Sequence, residues 1–189
     1  MKFVQARHYT AVATARPVDL VVIHSMEAPE RANTALAVAF WFSGKNAPRA
    51  SAHYCIDATE VVGCVHERDV AWAAPGANGN GIQLEHAGFA AQGAADWADA
   101  YSEQVLARSA ALCAEICKRH SIPVVKLTVP EVKAGRRGIC GHIEVTRAFN
   151  RSTHTDPGAH FPWGRYLELV EIALSVLAVP AAEPERRAN

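Results

Sequence analysis

The chain alternates short apolar runs with amphipathic stretches, a pattern typical of proteins that layer helices on a sheet. Leu20 to His24 is an unbroken apolar run that ends in a histidine. Such a run predicts a strand buried on both faces. The following segment, from Thr34 to about Phe42, predicts a helix, and Asn33 stands where a capping side chain is favoured.

The next two apolar segments predict a β-hairpin. They run from His53 to Asp57 and from Val61 to His66, with a turn at Ala58-Thr59-Glu60 between them. A loop rich in glycine and asparagine, residues 75–80, then leads into a predicted strand from Ile82 to Glu85. Because loops at strand ends often carry functional residues, we expect this loop to border a site.

The second half of the chain is dominated by helical patterns. A long amphipathic helix is predicted after Trp97, with one apolar face formed by Leu106, Ala110, Cys113 and Cys117. Val124 to Leu127 predicts a short strand. Pro162 to about Ala178 predicts a last helix, whose inward residues are Tyr166, Leu169, Val170, Ala173 and Leu177. The whole pattern predicts an α/β fold with a central mixed β-sheet flanked by helices.

Composition limits this fold to one domain. The chain has 189 residues, of which half are hydrophobic, enough for one good core but not for two ordinary domains. We assign residues 1–180 to that domain and the charged segment 181–189 to a solvated tail. The five cysteines are odd in number and form no CxxC pair, which predicts buried thiols rather than a disulfide framework.

The charge balance and the amino terminus narrow the partners and the location. The 19 basic residues equal the 19 acidic ones, so nothing indicates nucleic acid or an anionic membrane as a partner. No window is apolar enough to span a bilayer, and Met1 to His8 lacks the apolar stretch of a signal peptide. We expect a soluble protein without membrane insertion, made in a cytoplasm, with a monomer favoured.

A turn near the carboxyl end carries the candidate chemistry. Asp156 lies two positions after His154, and the following Pro157 and Gly158 stiffen and reverse the chain there. Upstream, His24 ends the first apolar run and His142 follows a basic segment that bears glycines. We predict a zinc ion held by His24, His142 and Asp156 at one end of the sheet, because three nitrogen and oxygen ligands leave a catalytic position open.

Glu85 is a candidate general base. It ends an otherwise apolar strand, where a carboxylate is costly unless it is paired or takes part in chemistry. Burial at such a place would raise its pKa into the range useful for proton transfer. A carboxylate at the rim of the sheet with no catalytic role is the alternative.

Six short motifs follow one another along the chain. They are Val22-Ile23-His24-Ser25-Met26-Glu27, Ser51-Ala52-His53-Tyr54, Ala71-Trp72, Gly81-Ile82-Gln83-Leu84-Glu85, Gly141-His142 and Thr155-Asp156-Pro157-Gly158. In this order they resemble the motifs of zinc-dependent N-acetylmuramoyl-L-alanine amidases of type 2. The resemblance runs from about Leu20 to Trp163 and is greatest to phage endolysin amidase domains.

The resemblance implies a site and a reaction. The family's three zinc ligands fall on His24, His142 and Asp156, and the bond cleaved would be the amide between N-acetylmuramic acid and L-alanine of peptidoglycan or a muropeptide. Gly88 follows Glu85 by three places, as a glycine follows the family's catalytic glutamate. His154 stands where many relatives carry lysine, and we expect it to donate to the oxyanion or the leaving amine.

Several other residues are assigned lesser roles. Trp72, Asn78 and Asn80 are predicted to form a wall of the substrate groove, since aromatic faces stack on sugars and amides bond to peptides. Trp72 could instead be a core or loop anchor. His53 is expected to be structural, and Tyr54 to face the other side of its strand. Four further histidines are interpreted as surface or structural: His66, His86, His120 and His160.

Other functions stay open from the sequence. One is a non-catalytic peptidoglycan-binding module, which is disfavoured because such relatives lose the third ligand whereas Asp156 is present. Another is a zinc peptidase that acts on the stem peptide. An endolysin would fold in the bacterial cytoplasm and reach the wall after a holin opens the membrane. A cytoplasmic enzyme that recycles muropeptides fits the missing signal peptide equally well.

Overall fold

The computed structural model describes residues 1–178, and the predicted tail at 181–189 lies outside them. The strands are β1 (Lys2–Phe3), β2 (Tyr9–Thr10), β3 (Leu20–Ser25), β4 (Tyr54–Ile56), β5 (Val61–Gly63), β6 (Val70–Ala71), β7 (Gly81–His86) and β8 (Gly138–Gly141). The helices are α1 (Thr34–Ser43), α2 (Ala94–Trp97), α3 (Ala100–His120), α4 (Val129–Lys133), α5 (His142–Phe149) and α6 (Trp163–Ala178).

Six of these strands form one mixed sheet in the order β1-β5-β4-β7-β3-β8. Strand β3 pairs in parallel with β7 and with β8, and β7 pairs in parallel with β4. The hairpin partners β4 and β5 are antiparallel, and β1 runs parallel to β5. The predicted α/β class and the mixed sheet are confirmed.

The two central strands bring polar residues to one edge of the sheet. All six residues of β3 are buried, as expected of a parallel strand covered on both faces. His24 of β3 pairs in register with Glu85 of β7. Both residues therefore lie at the carboxyl ends of adjacent strands and on the same face, because paired residues of neighbouring strands share a face.

Helices cover the two faces of the sheet differently. On one face, Val21, Ile23, Ile82 and Leu84 join a single large core with α3 and α6. The opposite face is divided, because α1 packs with β4 and β5 in one cluster and α5 packs with β3 and β8 in another. The edge with His24 and Glu85 opens between α1 and α5.

The predicted hairpin is confirmed, but the predicted cap of α1 is wrong. Asn33 has a left-handed backbone (φ 66°) and its side chain makes no capping bond. Asp57, at the hairpin turn, takes this role: its Oδ2 accepts from the Ala35 N–H at 3.0 Å, and its Oδ1 accepts from the N–H of Thr59. One carboxylate thus stabilises both the turn and the helix start.

The region around β8 departs from the predictions. Val124 to Leu127 forms only an isolated bridge, at Lys126, beside Ile139 of β8. The Val125 N–H donates to the Pro123 carbonyl, so it does not take part in hydrogen bonding between strands. β8 itself and α5, which starts at His142, were not predicted from the sequence.

The remaining predictions about helices and thiols are confirmed. Leu106, Ala110, Cys113 and Cys117 are buried on one face of α3, and all five cysteines are free and buried. In α6, Tyr166 and Val170 are fully buried, with Leu169, Ala173 and Leu177 packed against the same core. Among residues 1–178, no helix combines the length and apolarity needed to cross a membrane.

Candidate active site

Three side chains from separate parts of the chain converge at the open edge of the sheet. They are His24 from the end of β3, His142 from the first turn of α5 and Asp156 from the loop before α6. The Nδ1 of His24 lies 2.9 Å from Asp156 Oδ2, and the Nδ1 of His142 lies 3.1 Å from Asp156 Oδ1. One donor atom from each residue lies within 4.8 Å of the other two, and all three residues are buried.

The outer nitrogen of each of these two histidines faces another side chain. His24 Nε2 lies 2.9 Å from Gln83 Oε1, and His142 Nε2 lies 3.3 Å from the Ser152 hydroxyl. Such contacts fix the rotation of an imidazole ring and direct its other nitrogen towards a metal. The donor set and its supporting contacts therefore fit a divalent metal ion.

The loop that carries Asp156 is locked in place by its neighbours. The Ile143 N–H donates to the Asp156 carbonyl at 3.0 Å. Gly158 has φ 97°, and a Cβ there would lie 2.0 Å from the Ala90 carbonyl oxygen. The predicted reversal at Gly158 is thus confirmed, since only glycine fits this conformation in this space.

Contacts among the side chains of the cluster determine which of them are charged. Burial disfavours a charge on His24, but the neighbouring Glu85 and Asp156 outweigh it and raise the pKa of His24 to about 9. Burial lowers the pKa of His142. Burial also opposes the charge of Asp156, yet hydrogen bonds with the two histidines hold its pKa well below the usual range. Either protons on the histidines or a metal ion can balance the negative charge of the carboxylates in this cluster. The two are alternatives, because a side chain must be deprotonated before it can bind a metal.

The Glu85 side chain lies beside the cluster and makes no hydrogen bond to any side chain or backbone group within residues 1–178. Its Oε1 is 4.0 Å from His24 Nδ1, and its Oε2 is buried and unpaired among the described residues. Burial, which is the largest cause, together with the charges of Asp156 and Glu27 raises the pKa of Glu85 to about 7 against the opposing effect of His24. An unpaired buried carboxyl of this kind is typical of a functional group rather than of a structural one.

His154 stands at the mouth of the cluster. Its ring stacks on that of His142 with centroids 4.6 Å apart, and its Nδ1 lies 3.6 Å from Asp156 Oδ1. The side chain is 65% exposed. It is therefore placed to meet a ligand that enters from solvent.

A cavity of about 280 Å³ contains the cluster, and both Trp41 and Trp72 line it. It adjoins a second cavity of about 550 Å³, which is also lined by Trp72 and His154. The Trp72 indole donates to the Thr10 hydroxyl at 2.9 Å. This contact holds the Trp72 ring in place beside the end of β6, where it lines both cavities.

The two predicted asparagines lie in different places. Asn78 lines the second cavity, where its Oδ1 accepts from the backbone N–H groups of Ala73 and Ala74. Asn80 is not brought to the cavities: its amide donates to Asp19 at 3.2 Å. This contact lies at the amino ends of β3 and β7, whereas the cluster lies at their carboxyl ends, so the predicted contact of Asn80 with substrate has no support here.

Sequence reasoning missed three residues at the site. Gln83 occurs in a family motif but was assigned no role, and Ser152 was assigned none either. Trp41 is 56% exposed on α1, and a tryptophan at an exposed helix position was the available signal. Five other histidines are structural or exposed: His53 and His86 are fully buried away from the cavity, His120 bonds to Glu67, and His66 and His160 are exposed.

Comparisons with known proteins agree with this geometry. Residues 14–159 match the Amidase_2 family model, described as N-acetylmuramoyl-L-alanine amidase. The chain is 29% identical over 159 residues to N-acetylmuramoyl-L-alanine amidase A of Achromobacter lyticus, covering 79% of this chain and 81% of that protein.

Two solved structures share the fold. The hydrolase AmiA of Staphylococcus aureus superposes with a TM-score of 0.66 at 14% identity, covering 94% of this chain and 85% of that one. A derivative of AmpD superposes with a TM-score of 0.63 at 22% identity, covering 89% and 93%. Together with the family match, these findings show that the chain belongs to the type 2 family of N-acetylmuramoyl-L-alanine amidases and is a peptidoglycan amidase.

Proposed function

We propose that this amidase is zinc-dependent and that His24, His142 and Asp156 hold the ion. The observation that carries the proposal is the convergence of three buried donor groups beside an unpaired carboxylate in one cavity. Two imidazoles and one carboxylate suit zinc, and three protein ligands leave a position for water or substrate.

Glu85 is the proposed carrier of the proton. When bound, zinc would polarise the lactyl carbonyl and make water a better nucleophile at neutral pH. Glu85 takes a proton from the water that attacks the carbonyl carbon. As the C–N bond breaks, Glu85 returns that proton to the leaving amine, so the products are the lactyl acid and the free amino group of L-alanine.

His154 is the proposed donor to the oxyanion. It stacks on His142 at the mouth of the cavity and is largely exposed. A ring N–H at this position can meet the negative oxygen that develops during attack, and such donors stabilise the transition state more than the ground state. Its exposure leaves the ring accessible to substrate, although its Nδ1 also lies 3.6 Å from Asp156 Oδ1.

The two adjoining cavities support a substrate with both sugar and peptide parts. Trp72 belongs to both cavities, and Trp41 faces the first. Aromatic faces stack on sugar rings, whereas the Asn78 side-chain amide nitrogen can donate to a peptide carbonyl, since its oxygen is already engaged with Ala73 and Ala74. We propose that the enzyme acts on the bacterial wall as a phage endolysin or its catalytic domain, because its motifs resemble those of endolysin amidases.

The experiment that tests the reaction is mass analysis of wall digests made with the zinc-loaded protein. Intact glycan strands together with whole stem peptides that begin with L-alanine are expected. Shortened stems would mean a peptidase, and a digest without new ends would mean a binding module. Either result would contradict the proposal.

A second experiment tests the biological role. Initial rates on intact sacculi are compared with rates on soluble muropeptides of the same stem composition. An endolysin should release dye-labelled fragments from sacculi and lyse cells from outside when the membrane barrier is removed. Turnover confined to the soluble fragments would favour a recycling enzyme.

A further inference from the structure

The side-chain amide of Gln83 lies directly behind His24. Gln83 precedes Glu85 by two residues on β7, so both side chains emerge on the face that carries the site. Gln83 is fully buried, and its Oε1 lies 2.9 Å from His24 Nε2. The oxygen of a buried amide needs a hydrogen-bond donor as its partner, since a buried polar group without a complementary partner costs free energy.

The direction of this hydrogen bond follows from a second contact. The Nε2 of Gln83 lies 3.3 Å from the carbonyl oxygen of Ala77, and a carbonyl can only accept. The amide nitrogen must therefore face Ala77, which leaves the amide oxygen facing His24. Because that oxygen also only accepts, His24 Nε2 must carry the hydrogen.

Gly81 makes room for this arrangement. A Cβ at position 81 would lie 2.7 Å from the Ala77 carbonyl oxygen and 2.8 Å from the Gln83 amide nitrogen. A side chain there would push the amide away from Ala77. Gly81 and the Ala77 carbonyl thus together keep the side-chain amide of Gln83 in one orientation.

The backbone of Gln83 is held as firmly as its side chain. Its N–H donates to His53 Nδ1 at 2.9 Å, and His53 Nε2 lies 3.2 Å from the Asp69 carbonyl. Since a backbone N–H can only donate, His53 Nδ1 must accept. His53, which is fully buried, therefore fixes the strand from which the Gln83 amide reaches His24.

We propose that Gln83 is a positioning residue that commits His24 to the tautomer with hydrogen on Nε2, so that the lone pair of Nδ1 faces the metal. This inference rests on the proposed zinc site. The Nδ1 is the atom that faces Asp156 at 2.9 Å. A ring free to adopt the other tautomer would present an N–H to the metal and would have to lose that hydrogen first.

Two-bond ¹⁵N–¹H correlation spectra of the zinc-loaded protein test the tautomer directly. The His24 ring should show a proton on Nε2 and none on Nδ1. Zinc bound with the proton on Nδ1 would overturn the role of Gln83 and leave the proposed enzyme intact. Failure of the wild-type chain to take up zinc would overturn the proposed metal site, and this inference with it.

The matched variants are Gln83→Met and Gln92→Met. Methionine keeps the length of the side chain but removes the acceptor, so Gln83→Met should weaken zinc binding by about 10- to 100-fold, measured by chelator competition. Gln92 is also a buried glutamine, but its amide bonds to Phe89 and Glu30. Gln92→Met should leave zinc affinity unchanged, and equal affinities in the two variants would contradict the proposal.

Discussion

Two pairs of buried histidines, His24 with His142 and His53 with His86, differ in what their ring nitrogens face. In the first pair, one nitrogen of each ring is held by a neighbour while the other points at Asp156. In the second pair, each ring lies between partners that leave no nitrogen free. Burial alone therefore does not distinguish a candidate metal ligand from a structural histidine, whereas the direction of the second nitrogen does.

The second pair acts as cross-links within the core. His53 joins two backbone groups, and His86 donates to the His24 carbonyl at 2.8 Å while its other nitrogen meets the Ser109 hydroxyl. Burial lowers the pKa of His53 to about 3 and that of His86 to about 4. These rings are held neutral, whereas His24 lies among carboxylates that favour its charge.

Among variants expected to keep the metal, the largest effect is expected at Glu85, the carboxylate beside the first pair whose Oε2 has no partner among the described residues. Glu85→Gln removes the base but keeps the shape, so turnover should fall by about 100- to 10,000-fold while zinc stays bound. Steady-state kinetics and metal content check this. Loss of zinc from the variant would show that Glu85 supports the ligands instead.

A second carboxylate at the same cavity is the control. Glu27 lines the cavity, but its Oε1 already accepts from the Ser25 hydroxyl and from the Ala90 N–H. Glu27→Gln should therefore cost far less turnover than Glu85→Gln. Equal losses would mean that the base is not identified by its missing partner.

The next effect concerns His154, the exposed ring stacked on His142. His154→Ala should lower turnover towards the low end of a 100- to 1,000-fold range, roughly, because an exposed donor stabilises an oxyanion less than a buried one. Zinc content should not change. A variant with full turnover would remove His154 from the mechanism.

A change in the second pair should affect the fold and spare the metal. His86→Phe keeps a ring against Phe161 and Tyr166 but deprives the His24 carbonyl and the Ser109 hydroxyl of a partner. The free energy of unfolding should fall by about 1–3 kcal/mol. Denaturant titration measures this loss of stability. If the variant is fully folded but no longer binds zinc, the distinction between the two pairs of histidines is wrong.

The smallest effect is the contribution of His53 to acid sensitivity. The unfolded chain binds a proton at this ring below its ordinary pKa of about 6.5, whereas the folded chain does not bind it until the pH falls towards the folded-state pKa of about 3. Unfolding therefore takes up a proton, and stability should fall by up to about 1.4 kcal/mol per pH unit as the pH drops from 6 towards 4. Arg16 opposes the ring's charge, and Glu67 and Asp69 favour it.

His53→Asn isolates this contribution, because the amide oxygen can replace Nδ1 as an acceptor. Its stability should depend less on pH between about 6 and 4 than that of the wild type. Parallel slopes for wild type and His53→Asn would show that His53 is not held neutral.

The fold was largely predictable because its signals are local. The apolar run at Leu20 marks a strand buried on both faces, and the hairpin is set by a turn that Asp57 stabilises through its neighbours. β8 escaped because it is four residues long and begins and ends with glycine. Its pairing with β3 is a tertiary interaction that no local pattern carries, and the same holds for the cap that Asp57 provides to α1.

The residues that form the site could be predicted from the sequence, but the neighbours that orient them could not. Motif resemblance selected His24, His142 and Asp156 from nine histidines and many acids, and the structure brings them together. The role of Gln83 depends on an Ala77 carbonyl six residues away, which sequence alternation does not reveal. Asn80 shared a loop with Asn78, yet the start of β7 turns it towards the other end of the sheet.

The most direct test of the metal site is the zinc content of wild type, His142→Ala and His86→Phe, purified in parallel and assayed on wall substrate before and after chelation. We expect about one zinc per chain in wild type and in His86→Phe, with activity lost on chelation and restored by zinc. His142→Ala should hold no zinc and show no turnover while remaining folded. A His142→Ala protein that keeps both its metal and its turnover would contradict the account.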